Sequence, residues 1–77
     1  MLELYDVVAI NRNDEQRGLK KDQQGTIIDI LANGEAYVVE FYDEDGNTVE
    51  DALFANYKPS DLYLVTSFKS ISQQSNL

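Results

Sequence analysis

The sequence contains no cysteine, no histidine and no tryptophan. Without thiols and imidazoles, disulfides, Cys/His zinc sites and iron–sulfur clusters are excluded, and a reducing cytoplasm is the expected setting. Catalysis would have to come from carboxylates, Ser, Tyr or Lys alone, without the usual nucleophile–base pairs. A chain of 77 residues also offers little volume for a substrate pocket, so no enzyme is expected, and no metal or cofactor. No run approaches the roughly 20 apolar residues of a membrane helix. The start, Met1-Leu2-Glu3, has no basic, apolar and small-residue series, so no leader is expected.

Positive charge is the other scarcity. Six Lys and Arg stand against 14 Asp and Glu, a net charge of −8. Nucleic-acid affinity comes largely from cations that displace phosphate counterions, so a phosphate backbone is an unfavourable partner. Four of the six cations do fall in one segment, Arg12, Arg17, Lys20 and Lys21. That loop is either a local nucleic-acid surface or the solubilising charge of a long connection. The length allows one domain, which would bury only about 60% of its unfolded surface and be stable by roughly 3–5 kcal/mol.

What is abundant is β-forming. Leu4 to Ile10 is β-branched and aromatic and predicts a first strand; Asn11 to Gln24 is a polar loop; Gly25 to Leu31 predicts a second strand. Asn33-Gly34 then signals a type I′ hairpin turn, in which both central residues take positive φ. Ala36 to Tyr42 alternates strictly, with Tyr37, Val39 and Phe41 on the inner face and Tyr42 outside. Asp45-Gly46 is a second turn, and Thr48 to Phe54 reads as a fourth strand. Lys58-Pro59-Ser60-Asp61 predicts one 3₁₀ turn, since Pro59 lacks a donor, and Leu62 to Val65 a fifth strand. From Thr66 onward Ser, Gln, Asn and Lys dominate, which predicts a disordered tail over residues 66–77. The expected fold is all-β, a small five-stranded SH3-like barrel over residues 1–65 with one 3₁₀ turn. The competing reading is an open antiparallel meander, which needs a helix or a partner to cover it.

The run Leu4-Tyr5-Asp6-Val7-Val8-Ala9, then Gly18-Leu19-Lys20, Gln24-Gly25-Thr26-Ile27-Ile28, Tyr37-x-Val39-Glu40-Phe41 and Asp43-Glu44-Asp45-Gly46, closing on Lys58-Pro59-x-Asp61-Leu62, resembles a family of small bacterial proteins of unknown function. The resemblance spans residues 2–65 and implies the barrel and a bacterial cytosolic setting, with no activity attached. Asp22 departs from the pattern where the family usually has glycine, which implies either an Asp in a left-handed conformation or a turn of different shape. More distantly, Gly18 to Ile27 is similar to the core of KOW-type nucleic-acid modules, which implies a role for Arg12, Arg17, Lys20 and Lys21 in the alternative reading.

Among candidate sites, the hairpin Asp43-Glu44-Asp45-Gly46-Asn47 lacks calcium-loop spacing, because the sixth residue from Asp43 is Thr48 and the twelfth Phe54. Tyr5 sits in a Leu-Tyr-Asp run like that of peptide-binding SH3 domains, but the tryptophan of such grooves is missing, and a half-buried strand residue is expected instead. Glu50 and Asp51, adjacent on a strand, would point to opposite faces and share no substrate. The stretch Glu40 to Glu50 holds five carboxylates, and Asp43, Glu44 and Asp45 share one tip. Tyr42, Asp43, Glu44, Asp45 and Asn47 are therefore the expected contact surface for a basic protein, since exposed aromatics and complementary charge both mark interfaces. The Arg12–Lys21 loop is expected on the other side of the barrel. The function expected is that of an acidic protein-binding module: an adaptor or subunit, or an antitoxin- or immunity-like partner of a basic effector.

Overall fold

Alternation along one segment sets the orientation of the whole sheet. In the strand Ala36–Phe41, Tyr37, Val39 and Phe41 are each at most 1% exposed, while their neighbours face partly outward. The computed structural model, which describes residues 1–69, contains four strands: β1 (Val7–Ile10), β2 (Gln24–Leu31), β3 (Ala36–Phe41) and β4 (Leu62–Thr66). They form one antiparallel sheet in the order β3-β2-β1-β4. Val8, Ile10, Ile27, Tyr37, Val39, Phe41 and, from β4, Leu62 supply the sheet's part of a single core, and Leu19, Ala52, Ala55 and Tyr57 pack with them. Burial of a side chain of this size contributes about 1.5–3 kcal/mol. The Phe41 and Tyr57 rings meet edge-on at 5.2 Å.

The sheet bends at two irregularities, one between Val7 and Val8 against β4, the other between Ile27 and Asp29 against β3. Extra residues of this kind raise local twist and curl a sheet over its core. Gly25 sits where β2 and β3 approach closely. It pairs with Val8 on one side and Phe41 on the other. A Cβ there would lie 2.6 Å from the Glu40 carbonyl oxygen and 2.9 Å from the Phe41 Cα.

Several expectations are met locally. Asn33 and Gly34 both take positive φ, 59° and 97°, and the Glu35 N–H donates to the Ala32 carbonyl at 3.3 Å across the turn. Asp22 does adopt φ 73°, and its carboxylate accepts a hydrogen bond from the Tyr63 hydroxyl at 2.8 Å. Pro59–Asp61 form the expected 3₁₀ turn, with Asp61 accepting the Lys58 N–H at 3.0 Å, but it is not alone: Glu15–Arg17 and Ala32–Gly34 are 3₁₀ turns as well.

The expected fourth strand is overturned. Residues 50–53 form one turn of helix, α1 (Glu50–Leu53), with Glu50 and Asp51 exposed in its first turn. Two acids, Ala and Leu suit a helix start, because carboxylates complement the partial positive charge of its unpaired N–H groups. The sheet accordingly has four strands rather than five. On its other side β3 makes no strand pairing among the described residues: Tyr37 forms an isolated bridge with Tyr57, the Val49 N–H donates to the Phe41 carbonyl, and Tyr42, just past the strand, bridges Thr48. Barrel closure is not observed: the sheet is open, with α1 and the 55–57 segment over its core face.

The first strand is also shorter than expected. Tyr5 has φ 68° and is 53% exposed, so the chain turns at Leu4–Tyr5 before β1 begins. The buried Asp6 carboxylate holds that turn, accepting from the Glu3 N–H at 2.8 Å and from the Phe68 N–H at 3.0 Å. Phe68 lies edge-on to Tyr5 at 5.5 Å, and the Lys69 ammonium is 3.0 Å from Glu3. β4 thus runs one residue into the stretch expected to be tail, and Phe68 and Lys69 contact the chain start; the rest of that stretch, 70–77, lies outside the described residues. Among the described residues no helix is long and apolar enough to cross a membrane.

Candidate functional site

The polar loop before β2 is a folded unit. Asp14 and Leu19 exchange backbone hydrogen bonds at 2.9 Å around a 3₁₀ turn at Glu15–Arg17, and Gly18 closes it with φ 72°. Asp14 is buried, and its carboxylate takes the Arg17 guanidinium at 2.8 Å and the Arg12 guanidinium at 3.3 Å. Arg12 also reaches Asp61 at 3.1 Å, beside the Asn11 amide on the Ser60 carbonyl. The Arg17 hydrogen bond, aided by Arg12, holds the Asp14 carboxyl below the ordinary carboxylate range despite its burial. Burial works to raise Asp61, but the Lys58 N–H and the Arg12 guanidinium outweigh it and lower the carboxyl. Arg12, bonded to Asp61, is raised in turn. Arg12 therefore pins the loop to the turn before β4, while Arg17 braces Asp14 within the loop.

Lys20 and Lys21 are different. Both are exposed, and among the described residues neither makes an ion pair. Their side of the loop faces the acidic hairpin directly. Gly18, Lys20, Lys21, Asp22 and Gln23 form one wall of an open cleft of about 610 Å³, and Tyr42, Asp43, Glu44 and Asp45 form the other. The loop and the hairpin, expected on opposite sides, are the two lips of one cleft. The reason lies in β2, whose first residues follow the loop and pair with the end of β3, where the hairpin starts. Gln23 bridges the lips: its Oε1 accepts the Lys20 N–H at 2.9 Å and its Nε2 donates to the Tyr42 carbonyl at 2.9 Å. Sequence reading missed this residue, since a lone glutamine in a polar loop carries no periodic or motif signal.

The hairpin tip is built on Asp43. Its Oδ1 accepts the N–H groups of Asp45 and Asn47, both at 2.9 Å, while the Gly46 N–H donates to the Asp43 carbonyl at 3.0 Å and Gly46 takes φ 82°. Asp43 is thus partly required by the turn, as Asx residues commonly are. Glu44 and Asp45 remain exposed, with no described side-chain partner. Asn47 is exposed at the base of the tip but does not line the cleft. Tyr42 is 37% exposed, and its hydroxyl donates to Glu40 at 2.9 Å, with the Thr48 hydroxyl on the other Glu40 oxygen at 2.9 Å. Its ring, rather than its hydroxyl, is what a partner would meet.

Elsewhere the titratable groups are structural. The buried Tyr57 hydroxyl donates to the Ala52 carbonyl at 2.9 Å, tying α1 to the core, and burial pushes its pKa up to about 12. The Tyr63 hydroxyl, bonded to Asp22, is raised as well. Among the described residues no group of three or more acidic side chains is gathered to hold a metal ion.

No curated protein and no solved structure matches the chain. A family model does match, over residues 4–54, about two-thirds of the chain, from the Leu4 turn to the end of α1, and it includes both lips of the cleft. The chain belongs to the family described as Domain of unknown function (DUF4926).

Proposed function

We propose that this chain is a non-enzymatic, acidic protein-binding module of the bacterial cytoplasm, built as a partly open SH3-like barrel, that captures a Lys- and Arg-rich segment in the cleft at the Asp43–Asp45 lip. The observation that carries the reading is the position of Glu44 and Asp45: exposed, unneutralised and lining a cleft beside the half-exposed Tyr42 ring. Carboxylates in that position steer a cationic partner and raise its association rate, while an aromatic ring supplies contact area. Lys20 and Lys21 on the opposite lip give the cleft a second sign, which suits a peptide carrying an acidic residue beside its basic ones. The strand order with a 3₁₀ turn before the last strand is the pattern that supports the barrel reading. An adaptor in a complex and a neutralising, antitoxin- or immunity-like partner of a basic effector both use such a surface.

A nucleic-acid role is less well supported. Arg12 and Arg17 are spent on Asp14 and Asp61, and Lys20 and Lys21 face carboxylates that would repel phosphate. The test is stopped-flow association of the full chain with a fluorescent Lys/Arg-rich peptide, and in parallel with a single-stranded RNA. Replacing Asp43, Glu44 and Asp45 together with Asn should slow peptide association and flatten its salt dependence. RNA should bind no tighter than about 10⁻⁴ M at physiological salt. An unaltered peptide rate in the triple variant overturns the reading. Micromolar RNA binding that is lost in Lys20→Glu/Lys21→Glu would establish the KOW-like alternative in its place.

A further inference from the structure

The last strand of the sheet is unlike any other part of the surface. β4 is an end strand, paired with β1 only; its first residue, Leu62, also donates its N–H to the Pro59 carbonyl, and among the described residues no other backbone hydrogen bond reaches the strand. Tyr63, Leu64 and Val65 are 42%, 49% and 40% exposed. Exposed sheet edges are usually blunted by Lys, Pro or a strong twist, because their open N–H and C=O groups template another strand. From Leu62 to Ser67 there is neither a charge nor a proline. The core-side flank of this edge is a groove of about 410 Å³ lined by Met1, Leu2, Tyr37, Pro59, Leu62 and Leu64 among others, with no charged side chain in it.

Charge around β4 is nearly balanced. Arg12, Lys58 and Lys69 stand against Glu3, Asp6, Asp22 and Asp61, the groups that flank the strand or bond to it or to Phe68 just beyond it, three cations against four carboxylates. Most of the net charge of −8 is therefore carried elsewhere on the chain. Two copies approaching by β4 repel less than two copies approaching by the acidic hairpin.

We propose that β4 is a self-association edge: two copies pair antiparallel through Leu62–Thr66 around a twofold axis near Leu64, joining two four-stranded sheets into one of eight. Antiparallel pairing sets the Glu3–Lys69 end of one copy against the Lys58–Asp61 end of the other, so each end meets both signs. It also covers Leu64 and extends the groove with an apolar side chain from the second copy. Two five-residue strands and these side chains make a contact smaller than the ~1,200–2,000 Å² of stable interfaces, which places the pairing among weak, reversible associations. The cleft meets this edge at one contact, the Tyr63 hydroxyl on Asp22, and the groove beside β4 shares no lining residue with it.

Sedimentation velocity of the full chain from about 10 μM to about 1 mM reads the result directly. The expected outcome is a monomer–dimer transition within that range that shifts toward dimer as salt rises, because screening relieves repulsion between two molecules of charge −8. Salt weakens capture of a cationic peptide, so the two surfaces are separated by the sign of their salt dependence. Leu64→Lys and Val65→Lys should each raise the transition at least tenfold in concentration, whereas the Asp43/Glu44/Asp45→Asn variant should keep or strengthen it. If either Lys variant does not fold, amide exchange of the wild type decides: β4 amides that slow as concentration rises support the dimer. A chain that stays monomeric at the highest concentration overturns it, as does a dimer indifferent to both Lys substitutions. β4 amides protected equally at every concentration also overturn it, and assign the edge to another segment of the same chain.

Discussion

The two lips of the cleft carry similar densities of charge and use it in opposite ways. The long loop before β2 spends Arg12, Arg17 and Asp14 on one another and on Asp61, across 49 positions of sequence. The tip of the hairpin after β3 is held by its own short-range bonds from Asp43, and its base by Gln23 and Gln24 on the Tyr42 backbone. Charge that is locked into long-range pairs contributes to folding and is lost to recognition. Charge on a self-supporting turn stays available. The comparison separates substitutions that should report on stability from those that should report on binding.

The most disruptive change would strike the strand on which both lips hang. Gly25→Val forces a branched side chain into the space between β2 and β3, where even a Cβ meets backbone at 2.6 Å. The expected cost exceeds about 3 kcal/mol, enough to unfold most of a domain this size, and thermal melting would show it. A melting temperature near that of the wild type would mean the strands can separate freely there.

A smaller loss is expected at Tyr57, which secures α1 on the far side of the hairpin. Tyr57→Phe removes one of the donors to the buried Ala52 carbonyl, which keeps the Ala55 N–H, and should cost about 1–1.5 kcal/mol in urea unfolding. The pH dependence has a definite sign. A hydroxyl raised to about 12 in the fold, against about 10 in the unfolded chain, stabilises the protein below pH 10. That contribution is lost as pH climbs through the folded value, and the alkaline limb should flatten in Tyr57→Phe.

The loop clamp should weigh somewhat less. Asp14→Asn removes the charge shared by Arg12 and Arg17 and should cost about 1 kcal/mol at neutral pH. Because the Asp14 carboxyl is lowered in the fold, its stabilisation is present above about pH 4 and disappears as pH falls through the folded value. Variant and wild type should therefore converge in acid. At the hairpin the effect should be smallest: Asp43→Ala, which deletes the acceptor for two N–H groups, should cost about 0.5–1 kcal/mol, and Asp43→Asn, which keeps it, almost nothing. If Asp43→Ala destabilised more than Asp14→Asn, the contrast between the two lips would be reversed.

Much of this architecture was legible from residue types alone. Period-2 alternation gave the inner face of β3 correctly, Asn33-Gly34 marked a turn with two positive φ values, Pro59 marked the 3₁₀ turn, and the mismatch at Asp22 admitted the left-handed residue found there. The misreadings have a common cause. Thr48 to Phe54 contains enough β-branched and aromatic residues to imitate a strand, and only packing of Ala52 against the core selects the helical turn. Tyr5 belongs to a β-rich run, yet the Asp6 carboxylate captures the Glu3 N–H and turns the chain there.

Within the site, Tyr42, Asp43, Glu44 and Asp45 could be picked out from charge and alternation, and so could Lys20 and Lys21. Their partnership could not. Sequence by itself determined the elements whose cause is local: strand alternation, turns that need positive φ, the missing thiols and imidazoles, and a net charge that disfavours phosphate. Tertiary structure alone decided which charges are spent and which are free, and that the loop and the hairpin face each other. It also decided that β4 ends the sheet with an uncharged edge. Each of these depends on contacts between residues tens of positions apart, and local propensity carries no information about such contacts.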